Sequence, residues 1–154
     1  MLRHYYVKNM DIIEKRLQKV AEIIKGCALC PRKCKVDRTK GVLGWCEAPL
    51  EASVYSYQAH FGEEPPISGE KGSGAVFFSY CTMRCAYCQN YAFSQLKQGR
   101  RVRNMELADI FLKLQATGCH NLNLVTPTHF LHPIIDALSM AREKGFKLPV
   151  VYNT

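Results

Sequence analysis

Apolar and polar positions along the chain change rhythm several times, and each rhythm predicts an element. Between Asp11 and Lys25, residues Ile12, Ile13, Leu17, Val20, Ile23 and Ile24 recur at three- and four-residue steps. That spacing predicts an amphipathic helix, which Gly26 ends. Cys27 to Pro49 shows no period, and its cysteines, Pro31, Gly41 and Gly44 predict a metal-knotted loop. Gly62 to Gly74 is rich in Gly and Pro and reads as a long loop. Ala75 to Ser79 is a short apolar run, the mark of a buried parallel strand. Asn104 is expected to cap a helix through Thr117, with Leu107, Phe111 and Leu114 on one face and Gly118 closing it. Leu122 to Val125 predicts a second strand. Pro133 suits the first turn of a further helix that buries Ile134, Ile135, Leu138 and Ala141 and ends at Gly145. Leu148 to Tyr152 predicts a third strand.

Strand, helix, strand, helix, strand is the order of an α/β protein with parallel strands and right-handed crossovers. Three segments follow: an N-terminal helix over 1–25, a Cys-rich metal knot and Gly/Pro loop over 26–74, and the parallel α/β unit over 75–154. Asn153-Thr154 follow the third strand at once. No helix covers it, so the sequence is expected to be a truncated form of a longer enzyme.

Composition narrows the function. The chain has 154 residues and a formal net charge of +8. No apolar run approaches the roughly 18–20 residues of a membrane span. Met1 to Met10 is polar and aromatic rather than a secretory leader, so a cytoplasmic protein is expected. The clearest basic run holds Lys97, Arg100, Arg101 and Arg103 beside Gly99, and reads as a solvated loop. No aromatic residues interleave with it, so nucleic acid is not an expected partner.

Cysteine is the informative residue. There are eight, and seven fall into two clusters. Without a secretion signal they argue for metal or catalysis rather than disulfides. Cys81, Cys85 and Cys88 are spaced C-x3-C-x2-C immediately after a predicted strand, where α/β barrels gather their chemistry. Three thiolates on one short loop can hold three irons of a cubane, whereas ordinary four-iron clusters take four cysteines. One iron is then open to a reactant. The alternative is a zinc site completed by Cys119 or a histidine, although zinc ligands more often pair as C-x2-C.

The triplet resembles the signature of the radical S-adenosylmethionine enzymes, C-x3-C-x-aromatic-C, with Tyr87 in the aromatic place. Phe61-Gly62-Glu63-Glu64-Pro65-Pro66-Ile67-Ser68-Gly69, Gly72-Ser73-Gly74, Cys88-Gln89-Asn90 and Leu124-Val125-Thr126-Pro127-Thr128-His129 are similar to one subgroup, the proteins related to pyruvate formate-lyase activating enzyme. The likeness runs from about Gly26 to the last residue. It implies an N-terminal half of a radical S-adenosylmethionine (β/α) barrel with three parallel strands. It implies a [4Fe-4S] cluster whose open iron chelates S-adenosylmethionine, and reductive cleavage to methionine and a 5′-deoxyadenosyl radical that abstracts hydrogen from a substrate. Reduced flavodoxin or ferredoxin would supply the electron, and a glycine of a partner protein would be the target. Tyr87 would lie near the adenine. Activating enzymes carry Gly-Gly-Glu after the second strand, where this chain has Thr126-Pro127-Thr128-His129. Thr126, Thr128 and His129 are the candidates for that part of the cofactor site, with a turn or capping role as the alternative.

Cys27, Cys30, Cys34 and Cys46 form the second cluster, C-x2-C-x3-C-x11-C. Four thiolates suffice for a closed zinc site or a closed iron–sulfur cluster, and a closed site is expected to be structural. Spacing leaves zinc and iron both open. Cys119, His60 and His120 read as packing or hydrogen-bonding residues, and Glu63 and Glu64 as a solvated loop. The rival to an enzyme is a non-catalytic metal-binding module or an inactive remnant.

Overall fold

The computed structural model describes residues 2–154, with side chains from Ile12 onward. Helix α1 (Leu2–Lys25) buries Val20 and Ile24. The chain then crosses the cysteine knot, which contains one turn of 3-10 helix at Arg38–Lys40. Five strands follow: β1 (Ala52–His60), β2 (Ser73–Phe78), β3 (Arg100–Val102), β4 (Leu122–Val125) and β5 (Val150–Asn153). Between them lie two short helices, α2 (Pro65–Ser68) and α3 (Tyr91–Ser94), and two long ones, α4 (Asn104–Ala116) and α5 (Leu131–Glu143).

The strands form one sheet in the order β3-β1-β2-β4-β5. β2, β4 and β5 are parallel, with Phe77 opposite Val125 and Val125 opposite Asn153. β1 runs antiparallel to both β2 and β3. The sheet is therefore mixed, with an antiparallel pair beside the parallel strands. β1 escapes the sequence reading because its apolar signal is thin: only Ala52 and Val54 are buried apolar residues, while Tyr55 and Tyr57 face solvent. Two further expectations need correction. Gly62 to Gly74 is not all loop, since Pro65 starts α2 and Ser73 already pairs in β2. The basic run is not all loop either: Arg100–Val102 is an edge strand whose Val102 is buried opposite Ala52.

The core sits between the sheet and the α4–α5 layer. Phe78, Leu107, Phe111, Leu122, Leu124, Phe130 and Ile134 are fully enclosed. At the start of α4, Arg103 rather than Asn104 is the N-cap. Glu106 turns back to accept the Arg103 backbone N–H at 2.8 Å, the reciprocal half of a capping box. Parallel strands leave their carboxyl ends along one edge, so the loops after β2 and β4 meet there.

Candidate metal centres

Cys81, Cys85 and Cys88 sit on the loop leaving β2. The strand delivers Ser79, a fully buried residue held at three points. Its N–H donates to Ser53 O at 2.9 Å, its hydroxyl donates to Gln98 O at 2.6 Å, and its carbonyl lies 2.7 Å from His129 Nε2. Gly99 has to be glycine, because a Cβ there would run into Ser79 Oγ and its φ is +147°. Tyr80 then takes a left-handed conformation (φ +67°) and donates its N–H to Phe93 O at 2.8 Å. A bulky residue held there is strained, and such residues collect where structure serves a site.

Two of the three thiols are supplied with donors. Met83 N–H points to Cys81 Sγ at 3.3 Å, and the Ser94 hydroxyl points to Cys88 Sγ at 3.3 Å. Gln95 Nε2 donates to Cys85 O at 2.6 Å, which ties the loop to α3. Cys81 is buried and the other two are half-buried. Thiolates on a cluster accept such hydrogen bonds, and these tune its potential. Cys119 is not a fourth ligand. It lies beside Gly74 at the amino end of β2, and His120 and His60 are at that same end, bonded to or paired with Gly72 and Ser73. Cys81 is at the other end of a six-residue strand, roughly 17 Å away at about 3.3 Å per residue. The donor set thus fits a four-iron cluster with three protein ligands and one open iron.

The loop after β4 occupies the same edge. Thr126 has φ +56°, and its N–H bonds Asn153 O at 2.8 Å. Thr128 Oγ1 lies 2.6 Å from Thr154 Oγ1 and accepts from the Tyr152 hydroxyl at 3.1 Å. Both threonines are half-buried. His129 turns inward and is 2% exposed. Its Nε2 is committed to Ser79 O and its Nδ1 has no partner. Burial pushes its pKa down to about 4, so the ring is neutral, with Nε2 carrying the proton. Tyr87 is 92% exposed, a large ring facing outward from the cysteine loop. Glu63 is more than a solvated residue, since its carboxylate accepts from buried Asn123 at 2.9 Å.

Cys27, Cys30, Cys34 and Cys46 line a single pocket with Leu29, Arg38 and Trp45, and Thr82 and His129 close it. The knot's turns are made by backbone bonds from Cys27 N to Val36 O, Lys33 N to Cys30 O and Lys35 N to Cys27 O, with Lys33 and Lys35 in left-handed conformations. Trp45 N–H points to Cys34 Sγ at 3.3 Å. Burial pushes the Cys46 thiol up. Among the described residues, no three His, Cys, Asp or Glu side chains stand close enough to grip one ion.

The two cysteine loops are fastened together. Arg32 donates to Thr82 O at 3.3 Å and lies over the Trp45 ring at 4.0 Å. Arg84 donates to Trp45 O at 3.2 Å and to Glu47 at 2.9 Å, and Lys97 also bonds Glu47. Lys97 and Arg84 hold the Glu47 carboxyl below the usual range. The rest of the basic run is likewise paired: Arg100 and Arg103 with Glu106, Arg101 with Glu51. Ser94, Gln95, Arg38 and Trp45 carry no sequence signal for these roles, because each depends on a contact across the fold.

No described helix is long and apolar enough to cross a membrane. No solved structure matches the chain. A curated relative, an uncharacterized protein of Methanocaldococcus jannaschii, is 30% identical over 159 aligned residues, which cover 97% of this chain and 44% of the relative. The chain therefore spans less than half the length of that relative. A family model described as a 4Fe-4S single cluster domain matches residues 67–148, just over half of the chain. The matched segment contains the Cys81 loop with Ser79, Ser94, Gln95 and His129 and excludes the knot, and on that match the chain belongs to the 4Fe-4S single cluster domain family.

Proposed function

We propose that Cys81, Cys85 and Cys88 hold the family's [4Fe-4S] cluster and that the chain is of the radical S-adenosylmethionine type, related to the pyruvate formate-lyase activating enzymes. One observation carries the reading: the fold gives this loop three thiols and puts Cys119, His60 and His120 at the opposite end of β2. A three-cysteine cluster keeps one iron free for a small chelating molecule. When bound, such a cluster supplies an electron to break a carbon–sulfur bond of S-adenosylmethionine and yield the 5′-deoxyadenosyl radical.

The chain's own residues hold that site in shape. Ser79 and Tyr80 fix the loop to β1 and α3, and the N–H of Met83 and the hydroxyl of Ser94 donate to the sulfurs of Cys81 and Cys88. Exposed Tyr87 offers a face for the adenine. Thr126 and Thr128 follow the neighbouring parallel strand, and in this reading they would meet the rest of the cofactor. His129 supports the loop from beneath through Ser79. In this reading β2, β4 and β5 are an arc of the (β/α) barrel, reduced flavodoxin or ferredoxin is the electron donor, and a protein glycine is the substrate class.

The test is anaerobic reconstitution followed by electron paramagnetic resonance of the reduced protein. Added S-adenosylmethionine should change the spectrum, and Cys85→Ala should abolish both the signal from this loop and the change. A spectrum indifferent to S-adenosylmethionine would refute the proposal.

A further inference from the structure

The knot before β1 lies outside the family match and holds the chain's other built site. We infer that Cys27, Cys30, Cys34 and Cys46 carry a second four-iron cluster, closed by four protein thiolates, with Arg38 as its buried countercharge. The inference stands apart from the proposed function, since none of its ligands belongs to the Cys81 loop.

Two buried groups point to a ligand in this pocket. Arg38 is 4% exposed and lines it. Its Nη1 donates to His129 O at 2.7 Å and its Nη2 to Pro49 O at 2.5 Å, while Nε has no partner. Among the described residues no carboxylate forms an ion pair with it. A buried guanidinium held only by carbonyls is an uncompensated charge, and proteins pair or avoid such charges. The pocket's own lining offers four sulfurs and no acid. Metal-bound thiolates would bring the missing negative charge, and the free Arg38 N–H would find a sulfur to donate to. His129 is the second group: its buried, unpartnered Nδ1 sits on the same wall.

The knot's position favours a cluster over an ion. Thr82, beside Cys81 in the 4Fe-4S segment, lines the knot's pocket, and Arg32 of the knot donates to Thr82 O at 3.3 Å. Zinc has no redox chemistry, whereas a second cluster at this seam adjoins the first and can exchange electrons with it.

The experiment compares the full chain with two variants after anaerobic reconstitution. Four-iron clusters on both sites predict about eight irons and eight sulfides per chain. The triple variant Cys81→Ala, Cys85→Ala, Cys88→Ala should keep about four of each and give a cluster signal on reduction. The double variant Cys30→Ala, Cys46→Ala should keep only the loop's share, which separates failure at the knot from failure at the loop. In the triple-variant background, Arg38→Met should make the knot's midpoint potential more negative, and Arg38→Lys should restore it. Uptake of one zinc without sulfide by the triple variant overturns the cluster, as does a triple variant that folds and binds no metal. A potential unmoved by Arg38→Met overturns the countercharge.

Discussion

His129 gives the sharpest prediction about stability. It is enclosed between Ser79, Phe130 and the knot, and its ring stays neutral in the folded chain because burial lowers its pKa from 6.5 to about 4. The unfolded chain binds a proton near pH 6.5, and the folded chain does not until about pH 4. Between these values the unfolded state holds more protons, so stability is complete above pH 6.5 and falls as the pH drops toward 4. From about pH 7.5 to about pH 5 the loss from this residue alone amounts to about 2 kcal/mol, at 1.36 kcal/mol per pH unit. Wild type and His129→Gln, which keeps an N–H for Ser79 O but cannot titrate, should be unfolded in urea under anaerobic conditions across that range. Other titrating groups are common to both proteins and cancel in the difference. The gap between the two stability curves should change by about 2 kcal/mol, with wild type losing more on acidification. A gap that is constant with pH would mean that the imidazole titrates normally and is not enclosed as described.

Three other perturbations follow from the anchors around the Cys81 loop. Phe130 is fully buried against the rings of Phe78, Tyr80 and His129; Phe130→Ala should lower the unfolding free energy by about 3–5 kcal/mol, and a loss below about 1 kcal/mol in denaturant melts would contradict that packing. Gly99→Ala forces a methyl into Ser79 Oγ at a positive φ and should cost about 1–3 kcal/mol, read as a lower thermal midpoint. Ser94→Ala removes a donor to Cys88 Sγ, so the reduction potential of the cluster should become more negative, as followed by redox titration, with little change in overall stability.

What could be read from the sequence, and what could not, divides by the range of the interactions. Helices α4 and α5 announce themselves because Leu107, Phe111, Leu114, Ile134 and Ala141 bury one face each and local spacing alone records that. The run at Ala75 marks β2 because the strand is covered on both sides. β1 and β3 stay hidden: a strand beside an edge buries few apolar residues, and Arg100–Arg101 look solvated because they are, even while their backbone pairs with β1. At the site, cysteine spacing is a local code and points to both loops directly. The contacts that hold those loops are not local. Ser79 meets His129 across 50 residues, and Arg38 meets the His129 carbonyl across 91. His129 shows the difference well, since a polar residue in a Thr-Pro-Thr-His turn gives no hint that its ring is enclosed beneath the strand end.

Trp45 is the chain's only tryptophan, and it lies where the two cysteine loops meet, under the Arg32 guanidinium and with its carbonyl bonded to Arg84. The protein thus carries a single indole, selectively excitable above the tyrosine absorption, at the seam between its metal-binding segments. Its emission should report the filling of either centre by quenching, and the separation of the two loops by a shift to longer wavelength, without any added label. The order in which the centres load could be followed by light in a single cuvette.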